Sequence, residues 1–183
     1  MFWKKALSIV FCLSLLAGCG KESSKKPQQP QPESSSSSVA EPTVMENLAE
    51  KIATDYYIVE PCIVKDELLT GLLDINQEDT LEYTGYVSMT PDVPDCIIFI
   101  RADQKITDKL MKKLENRREF ILDAYKNAPE EQRLKAEAGK VFCINDYVVL
   151  VVAGRPTKDP VLEVQDIVTL IEKTLDSKSN TAQ

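Results

Sequence analysis

Histidine is absent from this chain of 183 residues. The absence removes the commonest general base and the commonest metal-ligating side chain, and with them every Ser-His or Cys-His catalytic pair. Basic residues are also outnumbered, 22 against 29 acidic ones, which gives a formal net charge of -7. A basic patch that neutralises nucleic-acid phosphates is therefore not expected, and no nucleic-acid partner is predicted.

Glycine is scarce too, and the six glycines do not form a nucleotide-binding loop. The sequence contains no P-loop, no GxGxxG motif and no G-x-S-x-G nucleophile elbow. We therefore expect no cofactor, no metal site and no enzymatic activity.

The first nineteen residues have the pattern of a bacterial export signal. Lys4 and Lys5 precede an apolar stretch from Ala6 to Ala17, which is shorter than the roughly 20 residues of a membrane-spanning helix. The next residues complete the tetrapeptide Leu-Ala-Gly18-Cys19, which resembles the lipobox of bacterial lipoproteins. The resemblance implies a signal peptide at residues 1–18, cleavage between Gly18 and Cys19, and lipidation of Cys19. The alternative is an ordinary secretory signal followed by an unmodified cysteine.

A polar segment follows the predicted lipidation site. Residues 19–42 are rich in Ser, Pro and Gln and contain almost no apolar side chains, so burial cannot offset the entropy of ordering them. We interpret this segment as a lipid anchor and a disordered tether that holds a domain away from the membrane.

Helical periodicity begins at residue 43 and predicts a single α+β domain over residues 43–178, with a frayed tail at 179–183. Thr43 and Glu46 have the spacing of a capping box and open the first helix. A short helix is expected from Asp66, a long one from Ile106 to about residue 128, and a last one after the Asp-Pro pair at 159–160.

Four segments have strand patterns. Residues 81–89 alternate between apolar and polar, whereas residues 96–100 are apolar throughout. Residues 141–144 and 147–153 flank the pair Asn145-Asp146, which suits a tight turn. We therefore predict a four-stranded antiparallel sheet made of two hairpins, with helices packed on one face. With the two apolar strands in the centre, the order is first, second, fourth, third.

Four sequence stretches in this order resemble a known family: MENLAEKIA, PDCIIFI, FILDAYKNAPEE and CINDYVVLVVA. The family consists of short bacterial lipoproteins, mostly Gram-positive, that carry a domain of unknown function. The resemblance covers about residues 44–153. It implies no activity, since the family has none established.

Few side chains of the domain suggest chemistry. Arg118 lies within the apolar stripe of the long helix, where it is either a recessed anion-binding cation or an arginine whose stem packs and whose head meets a carboxylate. Cys62, Cys96 and Cys143 lack the spacing of a zinc site. We expect Cys96 and Cys143 to pack within strands, with one disulfide as the alternative.

Three adjacent acidic pairs offer the alternative of an envelope hydrolase that uses two carboxylates. They are Asp66/Glu67, Glu78/Asp79 and Glu130/Glu131. The sequence favours a different function, that of a lipid-anchored domain on the extracytoplasmic face of the cell membrane. Such a domain binds an envelope protein or a small ligand, and we expect its surface to include aromatic residues among Tyr56, Tyr57 and Tyr86.

Overall fold

The computed structural model describes residues 41–179, with side chains described for residues 41–176. The predicted signal peptide, Gly18, Cys19 and nearly all of the tether lie outside the described residues, as do residues 180–183 of the predicted tail.

Five helices and five strands make up the described domain. The helices are α1 Val44–Asp55, α2 Asp66–Leu73, α3 Thr107–Tyr125, α4 Glu130–Ala138 and α5 Pro160–Ser179. The strands are β1 Pro61–Ile63, β2 Glu82–Ser88, β3 Cys96–Arg101, β4 Lys140–Ile144 and β5 Tyr147–Val152. No described helix is both long and apolar enough to span a bilayer.

The strands form one antiparallel sheet in the order β1-β2-β3-β5-β4. The predicted order of the four longer strands is confirmed, and the α+β class is confirmed with it. The predicted number of strands is wrong, because the three-residue strand β1 pairs with β2 at the edge of the sheet. Its first residue, Pro61, breaks the strand pattern in the sequence, yet proline is tolerated at an edge.

The prediction that helices cover only one face of the sheet is also wrong. Side chains of α2 and α3 pack on one face, against residues such as Ile98 and Leu150. Side chains of α1 and α5 pack on the other face, against Phe99 and Val149. Because β3 and β5 are apolar on both sides, each face needs a helical cover.

Local sequence signals account for several element boundaries. Thr43 and Glu46 form the expected capping box at the start of α1. Asn145 opens the β4–β5 turn with φ 54°, in agreement with the predicted hairpin. The long helix ends at Tyr125 and a separate helix, α4, follows Pro129. The sequence patterns had not predicted α4.

Gly85 is required in β2 at the position that pairs with Ile98 of β3. Its φ is +153°, and a Cβ atom at this position would lie 2.2 Å from the carbonyl oxygen of Ile97. A larger residue therefore has to move backbone atoms in the centre of the sheet.

Candidate functional site

A groove of about 670 Å³ runs along the C-terminal half of α3. The β2–β3 loop forms one wall with Pro91 and Asp92, α3 contributes Arg117, Phe120 and Tyr125, and the α3–α4 connection closes one end. We call it the α3 groove. Its volume lies within the range of small-molecule sites, about 300–1,000 Å³.

Arg117 is the feature that sets this groove apart from the rest of the surface. The other four arginines each pair with a carboxylate, at 2.6–2.7 Å. Arg117 makes no hydrogen bond or ion pair within residues 41–176, and its guanidinium carbon lies 5.1 Å from the centre of the Phe120 ring. Burial lowers the pKa of Arg117 from its ordinary value, because the charged guanidinium is partly removed from water.

Aromatic side chains form the walls around this cation. The Phe120 ring is 62% exposed although it belongs to a helix that packs on the sheet. The Tyr125 hydroxyl donates a hydrogen bond of 3.0 Å to the Pro91 carbonyl oxygen, which ties the β2–β3 loop to α3. Burial is the main cause of the raised pKa of Tyr125. The groove thus combines one unpaired cation, an exposed ring and a fixed wall.

A buried ion pair lies at the base of the same loop. Lys135 Nζ of α4 is 2.9 Å from Asp95 Oδ1, and the two side chains are 5% and 0% exposed. Burial raises the pKa of Asp95 to about 6, and the attraction of Lys135 only partly offsets this rise. A hydrogen bond from the Val59 backbone also favours the ionised carboxylate, but together with Lys135 it does not offset the effect of burial. The pair therefore fixes α4 beside the loop at an electrostatic cost.

Comparison with protein families matches residues 45–153 to a family described as a domain of unknown function, DUF4358. The chain belongs to the DUF4358 family. No curated protein and no solved structure matches the chain. All residues that line the α3 groove fall within the matched DUF4358 region, whereas α5 lies beyond it.

Arg118 has the second of its two predicted roles, that of an arginine whose charged head meets a carboxylate. Its Nε atom donates to Glu115 at 2.7 Å, so the charge is neutralised on the same helix. Its neighbour Arg117, on the same helix of the DUF4358 domain, is a candidate that no sequence motif had indicated. Arg117 is three residues after buried Leu114 and four before buried Ile121, and this spacing marks a residue that faces the groove edge.

The predicted aromatic patch is only partly formed. Tyr57 and Tyr86 line a second depression of about 300 Å³ between α1 and the edge strand. Tyr56 lies outside this depression. The guanidinium carbon of Arg155 is 5.3 Å from the centre of the Tyr56 ring.

The three predicted acidic pairs lie on separate helical turns. Asp66 and Glu67 open α2, Glu130 and Glu131 open α4, and Glu78 and Asp79 belong to a short 3-10 turn. None of them lines the α3 groove. Their placement gives the two-carboxylate hydrolase no support.

The cysteines follow the prediction in part. Cys62, Cys96 and Cys143 are all unpaired, and Cys96 is buried as expected, with its thiol pKa raised by burial to about 12. Cys143 is exposed, contrary to the prediction; it lies near the end of β4, which is an edge strand.

Proposed function

We propose that this chain is an extracytoplasmic lipoprotein whose DUF4358 domain binds a small anionic ligand in the α3 groove. Lipid on Cys19 holds the protein on the outer face of the cell membrane, and residues 20–42 give the domain reach. We expect binding without turnover. The single observation that supports the ligand class is Arg117, half-buried and without a carboxylate partner in the described domain.

An unpaired guanidinium in this setting favours an anion for two reasons. Burial has already removed part of its water shell, so a carboxylate or phosphate replaces water at a reduced desolvation cost. Partial burial also weakens screening by salt relative to a fully exposed pair. The adjacent Phe120 ring adds apolar contact area, so an anion that carries an apolar group gains more than a bare anion.

The dimensions of the groove favour a small ligand over a protein partner. Its volume of about 670 Å³ suits a small molecule. A stable protein interface usually buries about 800 Å² and roughly 20–30 residues on each partner. Ten residues line this groove, which is fewer than such an interface uses.

A panel of anions tests the proposal by thermal unfolding of the full chain in detergent. The panel pairs acetate with benzoate and phosphate with phenyl phosphate. A ligand whose concentration is 100 times its Kd raises the free energy of unfolding by about 2.7 kcal/mol. This corresponds to a rise in Tm of several degrees. We expect the aromatic anions to stabilise the wild type more than the simple ones do.

Two matched variants identify the residue responsible. Arg117→Gln removes the unpaired cation and should abolish the stabilisation. Arg118→Gln removes its paired neighbour on the same helix and should retain it. The proposal fails if no anion in the panel stabilises the wild type, or if Arg117→Gln responds as strongly as the wild type.

The anchor needs a separate test. Intact mass spectrometry of the membrane fraction should give a mature chain that begins at Cys19 and carries diacylglycerol, while Cys19→Ala should remain uncleaved. An unmodified chain that starts at another residue would refute the assignment.

A further inference from the structure

The α3 groove holds a second charged side chain without a partner, and its sign is opposite to that of Arg117. Asp92 lies on the β2–β3 loop and lines the groove. We infer that the groove takes a zwitterion with an apolar body, namely a short peptide or an amino acid with both ends free. This inference rests on the proposed function and specifies the ligand of the same site.

The two charges lie in one groove without neutralising each other. Asp92 and Arg117 both line it, yet they form no ion pair with each other or with any other side chain of residues 41–176. Asp92 nevertheless lies close enough to Tyr125 to contribute to the raised pKa of its hydroxyl. A carboxylate and a guanidinium left separate in this way suit a ligand that brings its own ammonium and its own carboxylate.

The loop that carries Asp92 is fixed in place before any ligand arrives. Pro91 and Pro94 restrict its backbone, Val93 N donates to Thr90 O at 3.2 Å, and the Tyr125 hydroxyl holds the Pro91 carbonyl. A fixed loop reduces the entropy that binding would otherwise cost.

Apolar side chains also line the groove. Phe120 and Ala124 are exposed there, and Ile121, which is otherwise buried in the core, contributes its edge. A ligand held at both ends therefore lies across apolar side chains, which favours leucine-like over acidic or basic side chains. The alternative, a simple apolar monocarboxylate, uses Arg117 and the apolar side chains but makes no use of Asp92.

Calorimetric titration of the full chain with leucyl-leucine and three relatives tests the inference. N-acetyl-leucyl-leucine lacks the ammonium, leucyl-leucinamide lacks the carboxylate, and free L-leucine separates an amino acid from a peptide ligand. A charge-assisted hydrogen bond is worth about 1.5–3 kcal/mol, so we expect acetylation and amidation each to weaken binding about tenfold or more.

Variants assign each end of the ligand. Asp92→Asn should remove the difference between leucyl-leucine and its acetylated form, and Arg117→Gln should remove the difference between leucyl-leucine and its amide. Asp123→Asn is the control, since Asp123 is an exposed acid on α3 that pairs with Lys126 outside the groove. Neither Asp92 nor Arg117 has an ion pair to lose, so both variants should fold.

The outcomes separate this inference from the proposed function. If acetylated and free peptide bind equally, and Arg117→Gln weakens both, the zwitterion is refuted while the anion site stands. If neither leucine nor the dipeptide binds, the inference is refuted whatever the anion panel shows. Failure of every carboxylate and phosphate in the anion panel is the separate result that refutes the proposed function.

Discussion

Replacing Lys135 by methionine tests the energetic account of the buried pair beneath the β2–β3 loop. In the wild type, burial raises the Asp95 pKa from 3.8 to about 6. Because the folded pKa lies above the unfolded one, the stability from protonated Asp95 is complete below pH 3.8 and is lost as the pH rises through about 6. Two pKa units correspond to about 3 kcal/mol.

Lys135→Met removes the cation beside the Asp95 carboxyl, so the folded pKa of Asp95 rises further. At pH 5 Asp95 is protonated in both proteins, and the variant should lose little stability. At pH 8 the wild type has ionised Asp95 beside Lys135, whereas the variant keeps it neutral or buries an unpaired charge. From pH 6 to pH 8 the gap grows by up to about 3 kcal/mol. This agrees with the 3–5 kcal/mol cost of breaking a buried pair.

Urea unfolding at pH 5 and pH 8, followed by far-UV circular dichroism, measures this difference. Tryptophan fluorescence is unsuitable because the single tryptophan, Trp3, lies in the predicted signal peptide. Arg133→Met is the matched control on α4, since Arg133 pairs with Glu137 at the surface. It should change stability by about 0.5 kcal/mol or less at either pH. An equal loss of unfolding free energy at pH 5 and pH 8 in Lys135→Met would contradict the role of Asp95 ionisation.

Three further substitutions test the fold. Gly85→Ala should reduce the free energy of unfolding by more than about 2 kcal/mol in urea, because its Cβ meets the Ile97 carbonyl oxygen; a wild-type midpoint would contradict the close approach. Thr43→Ala should cost about 1 kcal/mol by removing the cap of α1, and an unchanged Tm would show that the cap contributes nothing. Arg155 lowers the pKa of Glu163, so their pair stabilises the fold above pH 4.5 and this stability is lost as the pH falls. Arg155→Ala should therefore destabilise the protein more at pH 7 than at pH 3 in thermal melts, and the reverse order would refute the pairing.

The sequence predicted the parts of the fold that depend on local pattern. Apolar runs identified β3 and β5 as central, and the Asn145-Asp146 pair located the β4–β5 turn. The edge strand at Pro61 could not be predicted this way, because three residues carry no measurable alternation and their pairing with β2 is long-range. The two-sided helical cover was available from the apolar runs themselves, since a strand buried on both faces needs two covers.

The site was less predictable than the fold, since it depends on which charges meet. Arg117 and Arg118 are adjacent in the sequence, and the helical periodicity placed only Arg118 within the apolar stripe. Only the tertiary structure shows that Arg118 pairs with Glu115 and that Arg117 forms no ion pair with a carboxylate of the described residues. Asp92 gave no signal at all, because a loop acid between prolines has the pattern of an ordinary turn.

The central claim is that the α3 groove binds an anion through Arg117, and amide chemical-shift mapping by NMR tests it most directly. The full chain is titrated with the anion that gives the largest thermal stabilisation. We expect the shifted amides to cluster at Asp92 and at residues 117–128, and Arg117→Gln to abolish these shifts. Shifts centred on Tyr57 and Tyr86 in the second depression, or unchanged shifts in the variant, would contradict it.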